Sequence, residues 1–117
     1  MSLPAYRPLL RDLSRMRGVR GVLLADARDG IPIATTLDVD VDGDAVAALA
    51  VSLYGHAERA VAASGYGRST YFQLQAEVGW LCVVAAGGFV LAAVAEPRAN
   101  VALLRLRLLR ARTELAP

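Results

Sequence analysis

Residues 78–95 run for 18 positions without a charge, and Gly87-Gly88 cuts that run in the middle. A stretch of this length is where a membrane helix has to be considered. The residues around the glycines argue for strands instead. Val78, Trp80, Val83, Val84, Phe89, Val90 and Val94 are β-branched or aromatic and suit a pleated surface. A Gly-Gly pair supplies the positive φ angles that a two-residue hairpin turn requires. The run therefore predicts two strands, 78–86 and 89–95, each apolar throughout and so covered on both faces.

The rest of the chain has to supply that cover. Residues 19–26 form another apolar strand pattern, and a polar segment at 26–30 separates it from Ile31-Pro32-Ile33-Ala34-Thr35-Thr36, so the pair reads as a hairpin. Pro32 has no N–H to give to a ladder, which places its strand at a sheet edge. Residues 69–75 alternate, with Thr70, Phe72 and Leu74 facing one way and Tyr71, Gln73 and Gln75 the other. Three helices are expected. Residues 8–17 carry Leu9, Leu10, Leu13 and Met16 on one side, with Gly18 as a stop. Residues 45–64 follow a cap from Asp42 or Asp44. A last helix starts from Glu96-Pro97-Arg98-Ala99-Asn100, with Pro97 or Asn100 near its first turn and Val101, Leu104, Leu108, Ala111 and Leu115 as core stripe. Leu103, Leu106 and Leu109 make a second stripe, expected to lie under the first helix. The order is α-β-β-α-β-β-β-α, one α+β domain over residues 1–117.

The second helix is apolar on most sides. Val46, Leu49, Ala50, Leu53, Ala57, Ala60 and Val61 share one face, and Ala47, Ala48, Val51, Tyr54, Gly55 and Ala62 occupy much of the other, with Glu58 and Arg59 as the charges. A helix apolar on most sides is buried on most sides. In a domain of this size the second covering layer is expected from another copy of the chain. Ala47, Val51, Gly55 and Ala62 are small enough to let two such helices approach closely.

Composition narrows the function classes. With 56% apolar and 21% charged residues the chain is not a disordered tail, and a net charge of +2 is too small to argue by itself for nucleic acid. A single cysteine cannot form an intrachain disulfide, which fits a reducing cytoplasm, and the start of the chain lacks a charged-then-apolar signal layout.

The candidate chemical sites fail on their own terms. Asp38, Asp40, Asp42 and Gly43 match the first half of a calcium loop, but the bidentate glutamate needed at its twelfth position is replaced by Leu49. Gly65-Tyr66-Gly67 opens a G-x-G-x-x-G pattern that ends on Thr70, and it precedes a strand rather than a helix. His56 has no companion ligands for zinc, and Cys82 sits in an apolar strand where a thiol is inert. Asp26 and Asp29 flank a turn and shape it. No spacing selects Arg59, Arg68 or Arg98 for phosphoryl transfer. No catalytic, cofactor-binding or metal-binding residue is expected.

The hairpin Gly21-Val22-Leu23-Leu24 with Asp29-Gly30-Ile31-Pro32-Ile33-Ala34-Thr35-Thr36-Leu37-Asp38 resembles the roadblock family of dynein light chains. The ending Phe89-Val90-Leu91-Ala92-Ala93-Val94-Ala95-Glu96-Pro97-Arg98-Ala99-Asn100-Val101 is similar to its bacterial MglB-like branch. The resemblance implies a roadblock/longin-like α/β/α sandwich. A five-stranded antiparallel sheet would be covered by the second helix on one face and by the first and last helices on the other. It also implies homodimers in which second helices pack antiparallel and third strands pair. The expected interface is then Ala47, Val51, Tyr54, Gly55, Glu58 and Ala62 on the helix, with Tyr71, Gln73 and Gln75 on the strand. Family members are not enzymes. They bind small Ras-like GTPases as regulators, activators or assembly platforms, and the resemblance does not say which surface does so. Two other readings compete. One is a small-molecule sensor with Trp80 or Tyr71 lining a pocket. The other is nucleic-acid binding through Arg105, Arg107, Arg110 and Arg112, which is not expected because these arginines spread around the last helix and few aromatics accompany them.

Overall fold

The uncharged run does fold into two strands back to back. The structure, a computed structural model, describes residues 6–115; the ends of the domain expected over 1–117 lie outside them. The elements are α1 (Arg7–Ser14), β1 (Val19–Asp26), β2 (Pro32–Leu37), α2 (Gly43–Ala63), β3 (Tyr71–Ala76), β4 (Gly79–Ala86), β5 (Phe89–Ala95) and α3 (Val101–Leu115). Gly87 and Gly88, with φ of 57° and 86°, make the turn between β4 and β5. Among the described residues no helix is long and apolar enough to cross a membrane.

The five strands form one antiparallel sheet in the order β2-β1-β5-β4-β3. Pro32 does lie in an edge strand. Beside it the ladder slips: Leu24 pairs with Ala34 but Ala25 pairs with Pro32, leaving Ile33 as the extra residue of a bulge. The turn between β1 and β2 is held by its aspartates. Asp26 Oδ1 accepts from the Arg28 N–H at 2.8 Å, and Asp29 Oδ1 from the Ile31 N–H at 2.9 Å.

Alternation along the strands sorts the core into two layers. Val22, Leu24, Cys82, Val84, Leu91 and Ala93 point to one face, where Tyr6, Leu10, Leu13, Leu104, Leu108, Ala111 and Leu115 cover them. Leu23, Ala25, Leu81, Val83, Val90 and Ala92 point to the other, where α2 covers them with Ala47 and Ala50. The helix distribution implied by the resemblance is therefore the observed one. Asp42 caps α2, its Oδ1 accepting from the Ala45 N–H at 3.1 Å. Asn100 opens α3, its Oδ1 accepting from the Leu103 N–H at 3.1 Å.

Three expectations need correction. The first helix stops at Ser14 rather than Arg17, because the Arg15 and Met16 amides tighten back onto Arg11 and Leu13 before Gly18 turns the chain with φ of 86°. The face of α2 seated on the sheet carries Val46, Ala47, Ala50, Val51, Leu53 and Tyr54, so Val46, Ala50 and Leu53 lie where expected, whereas Leu49 and Ala60 are exposed. A helix apolar all round gives no moment to choose between its sides, and the alanines win because they permit the closer seat. On α3, Leu109 packs on the core, but Leu103 and Leu106 are 41% and 65% exposed, so the eight-residue α1 does not cover them.

Leu91 is fully buried in a central strand under α3. Leu91→Ala is expected to cost about 2–5 kcal/mol by loss of transfer energy plus a cavity. Urea unfolding followed by circular dichroism measures this, and a loss below about 1 kcal/mol would mean that the two-layer core is wrongly drawn.

Candidate interaction surface

Helix α2 lies over β1, β2, β5 and β4 and leaves β3 largely uncovered. On that same face β3 presents Phe72, which is half-buried against the α2 core, and Leu74, which is 42% exposed. Leu49 of α2 is 47% exposed nearby. Between them runs a shallow groove of about 210 Å³ whose walls include Leu49, Leu74, Val78, Leu81 and Val94. The outer edge of β3 has no neighbour in the sheet, so alternate backbone N–H and C=O groups face outward there. An apolar groove beside a free strand edge has the features of a surface that can take another chain.

The expected interface residues divide across this geometry. Ala47 is fully buried against the protomer's own sheet and offers no surface, which removes it from the set. Val51 and Tyr54 are half-buried on the same core. Gly55 is half-buried and Ala62 exposed. Tyr71, Gln73 and Gln75 point to the α3 face of β3, away from α2, so only their backbone can belong to a contact shared with that helix. The side chains that continue the α2 surface are Phe72 and Leu74, the other half of the alternation. Alternation alone separates the two sets. Placing α2 on one side requires the order of strands.

Glu58 has a different task from the one its position on the helix suggested. Its Oε1 accepts from the Ser69 N–H at 3.3 Å and the Ser69 hydroxyl at 3.0 Å, tying α2 to the segment that leads into β3. Burial would raise its pKa, but hydrogen bonds from Ser69 and Tyr54 and the charge of Arg68 outweigh it, and the carboxyl is held below its ordinary range. The neighbouring Tyr54 phenol is pushed up, by burial first and then by the Glu58 charge. On the opposite face the Tyr71 ring lies under the Arg105 guanidinium, 5.6 Å from its centroid, and its hydroxyl donates to Gln73 Oε1 at 2.7 Å. The Trp80 indole N–H donates to the Pro97 carbonyl at 3.3 Å. The polar tips of both candidate pocket aromatics are thus engaged.

The residues considered for chemistry are held apart or occupied. Asp40 and Asp38 pair with Arg20, and Asp42 serves as helix cap. Arg20 lowers the Asp40 pKa, chiefly through the side-chain hydrogen bond. Cys82 is buried on the α3 face of the sheet, and its thiol is pushed up by burial. His56 is exposed on α2, across the sheet from it, with Nδ1 3.1 Å from an Arg59 nitrogen. Among the described residues no group of His, Cys, Asp and Glu has the arrangement of a metal site.

These features define a roadblock-type α/β/α domain with one open sheet margin beside an apolar helix face. The chain belongs to the Roadblock/LC7 domain family, whose sequence profile matches residues 7–96. It is 31% identical over 103 residues to the uncharacterized protein MJ0310 of Methanocaldococcus jannaschii, covering 88% of this chain and 90% of that one. The crystal structure of the Roadblock/LC7 domain from Streptomyces avermitilis superposes with a TM-score of 0.80 at 27% identity, covering 91% of this chain and 90% of that chain. The gliding protein MglB from Thermus thermophilus superposes with a TM-score of 0.83 at 23% identity over 97% of this chain and 87% of that chain, a likeness of fold.

The Glu58 tie carries a pH signature. Its folded pKa is depressed, so its contribution is complete above its ordinary value of 4.5 and is lost as the pH falls through the folded value. Glu58→Gln should therefore be less stable than the parent above pH 4.5 and lose less on acidification below it. Thermal melts across that range test this; parallel pH profiles would show that Glu58 does not hold Ser69 as a carboxylate.

Proposed function

We propose that this chain is a homodimeric, non-catalytic regulator or scaffold that binds a small Ras-like GTPase in the cytoplasm. The observation that carries the proposal is the uncovered apolar groove of α2 and β3 beside the free β3 edge. A second copy related by a two-fold axis would close both at once. Its β3 continues the ladder, and its α2 lies along the exposed Leu49 side of the first. Membership of the Roadblock/LC7 family supports this assembly and the GTPase as partner. The partner is expected to meet the composite surface that only the pair of helices creates.

The dimer is tested at residues that the protomer itself does not need. Val51→Arg would disturb the protomer's own core as well, because Val51 packs against it. Leu49 and Leu74 are exposed and lack that defect. Leu49→Arg or Leu74→Arg should leave a folded monomer, since an unpaired charge buried across the contact costs on the order of 3–5 kcal/mol. Light scattering on a sizing column reads the mass, and variants that still elute as dimers would place the interface elsewhere.

The GTPase reading is tested by calorimetry with the Ras-like GTPases of the source organism, each loaded with GDP or a GTP analogue. Binding preferential for one nucleotide state is expected. Equal or absent binding to all of them would overturn the regulator.

A further inference from the structure

Charge is unevenly divided over this molecule. Residues 6–17 and 98–115 comprise α1, α3 and their flanking turns, and they hold nine of the 13 arginines but only two carboxylates, Asp12 and Glu114. Their net charge is +7, and residues 18–97, with four arginines against nine carboxylates, carry −5, which together give the +2 of the whole chain. The basic excess is therefore confined to one layer, since α1 and α3 lie together on the same face of the sheet.

Two of the nine arginines are engaged. The Arg112 Nε–H donates to the Ala85 carbonyl at 2.8 Å, and Arg105 lies over the Tyr71 ring. The side chains of the other seven make no hydrogen bond or ion pair with a described residue, and all seven are exposed. The outward side of α3 adds apolar surface. Leu103 and Leu106 are 41% and 65% exposed, and Arg107 and Arg110 stand four positions after them, so the four share one face. A groove between α1 and α3 brings Arg15 and Arg17 beside Leu103 and Arg107.

We infer that this helical layer is a docking face for an anionic lipid bilayer surface. The arginines would meet lipid phosphates, and Leu103 and Leu106 would enter the boundary between headgroups and acyl chains. A nucleic acid would use the positive charge but has no use for two exposed leucines, and the only aromatic residue in these segments, Tyr6, is buried. The acidic remainder sets the orientation, because an anionic surface attracts the α1/α3 side and repels the rest. The inference stands on a single protomer. In the proposed dimer both helical layers would lie on the same side of the extended sheet, and the basic face would double.

The test is co-sedimentation with vesicles of phosphatidylcholine, alone or with roughly one-third phosphatidylglycerol, at low salt and at about 0.5 M salt. The protein is expected to bind the anionic vesicles only, and to release them at high salt. The double variant Arg107→Glu/Arg110→Glu should bind them about tenfold more weakly or worse, and Leu106→Ser several-fold more weakly. Because these positions are exposed, circular dichroism melts should match the parent. Three results would overturn the inference: no partition of folded protein onto anionic vesicles, undiminished binding by the double variant, or a salt-sensitive shift of duplex DNA without vesicle binding. The GTPase experiment is read in solution without lipid, so the two proposals fail separately.

Discussion

The structure depends on burying both faces of β1, β5 and β4. Each strand sends apolar side chains alternately to the two sides, so neither face can be left in water. The two cover layers solve this differently. On one side α1 and α3 bring large side chains, among them Leu10, Leu104 and Leu108. On the other a single helix seats itself through Ala47 and Ala50 on a floor that includes Ala25 and Ala92. Small residues let the helix come close, but one close helix spans less of the sheet than two. The uncovered part, β3 and the groove beside it, follows from that choice of alanine.

Much of this fold was legible along the chain. A charge-free run split by two glycines, a proline near the start of one strand, and aspartate or asparagine ahead of two helices each rest on local physics. Neighbouring residues suffice to read them. What was not legible depends on contacts between distant segments. Nothing in α2 chooses which of its apolar sides meets the sheet, so Ala47 and Leu49 were effectively exchanged. The Glu58–Ser69 tie joins residues eleven positions apart across the Gly65-Tyr66-Gly67 turn, and nothing local pairs the two side chains. Tyr71, Gln73 and Gln75 were correctly grouped by alternation, but only the strand order shows that they turn their backs on α2.

The arginines make a related point. Read as a helix, α3 shows no single basic stripe, and its charges appear scattered. Read as a layer, they join those of α1, and the two engaged arginines on the inner margin, Arg105 and Arg112, drop out. A surface assembled from both ends of a chain is invisible to any window that moves along it.

The bulge beside Pro32 bears on the proposed assembly. A sheet with two equally receptive margins can be lengthened without limit, and chains that present such sheets form fibres. Here the margins differ. β2 bears a proline and a slipped register on one side, and β3 is unbroken on the other. In the proposed dimer, where β3 margins meet, each copy would bring its blunted β2 strand to an outer end, and strand pairing would stop there. The proline that first marked a strand's place in the sheet would thereby also limit that assembly.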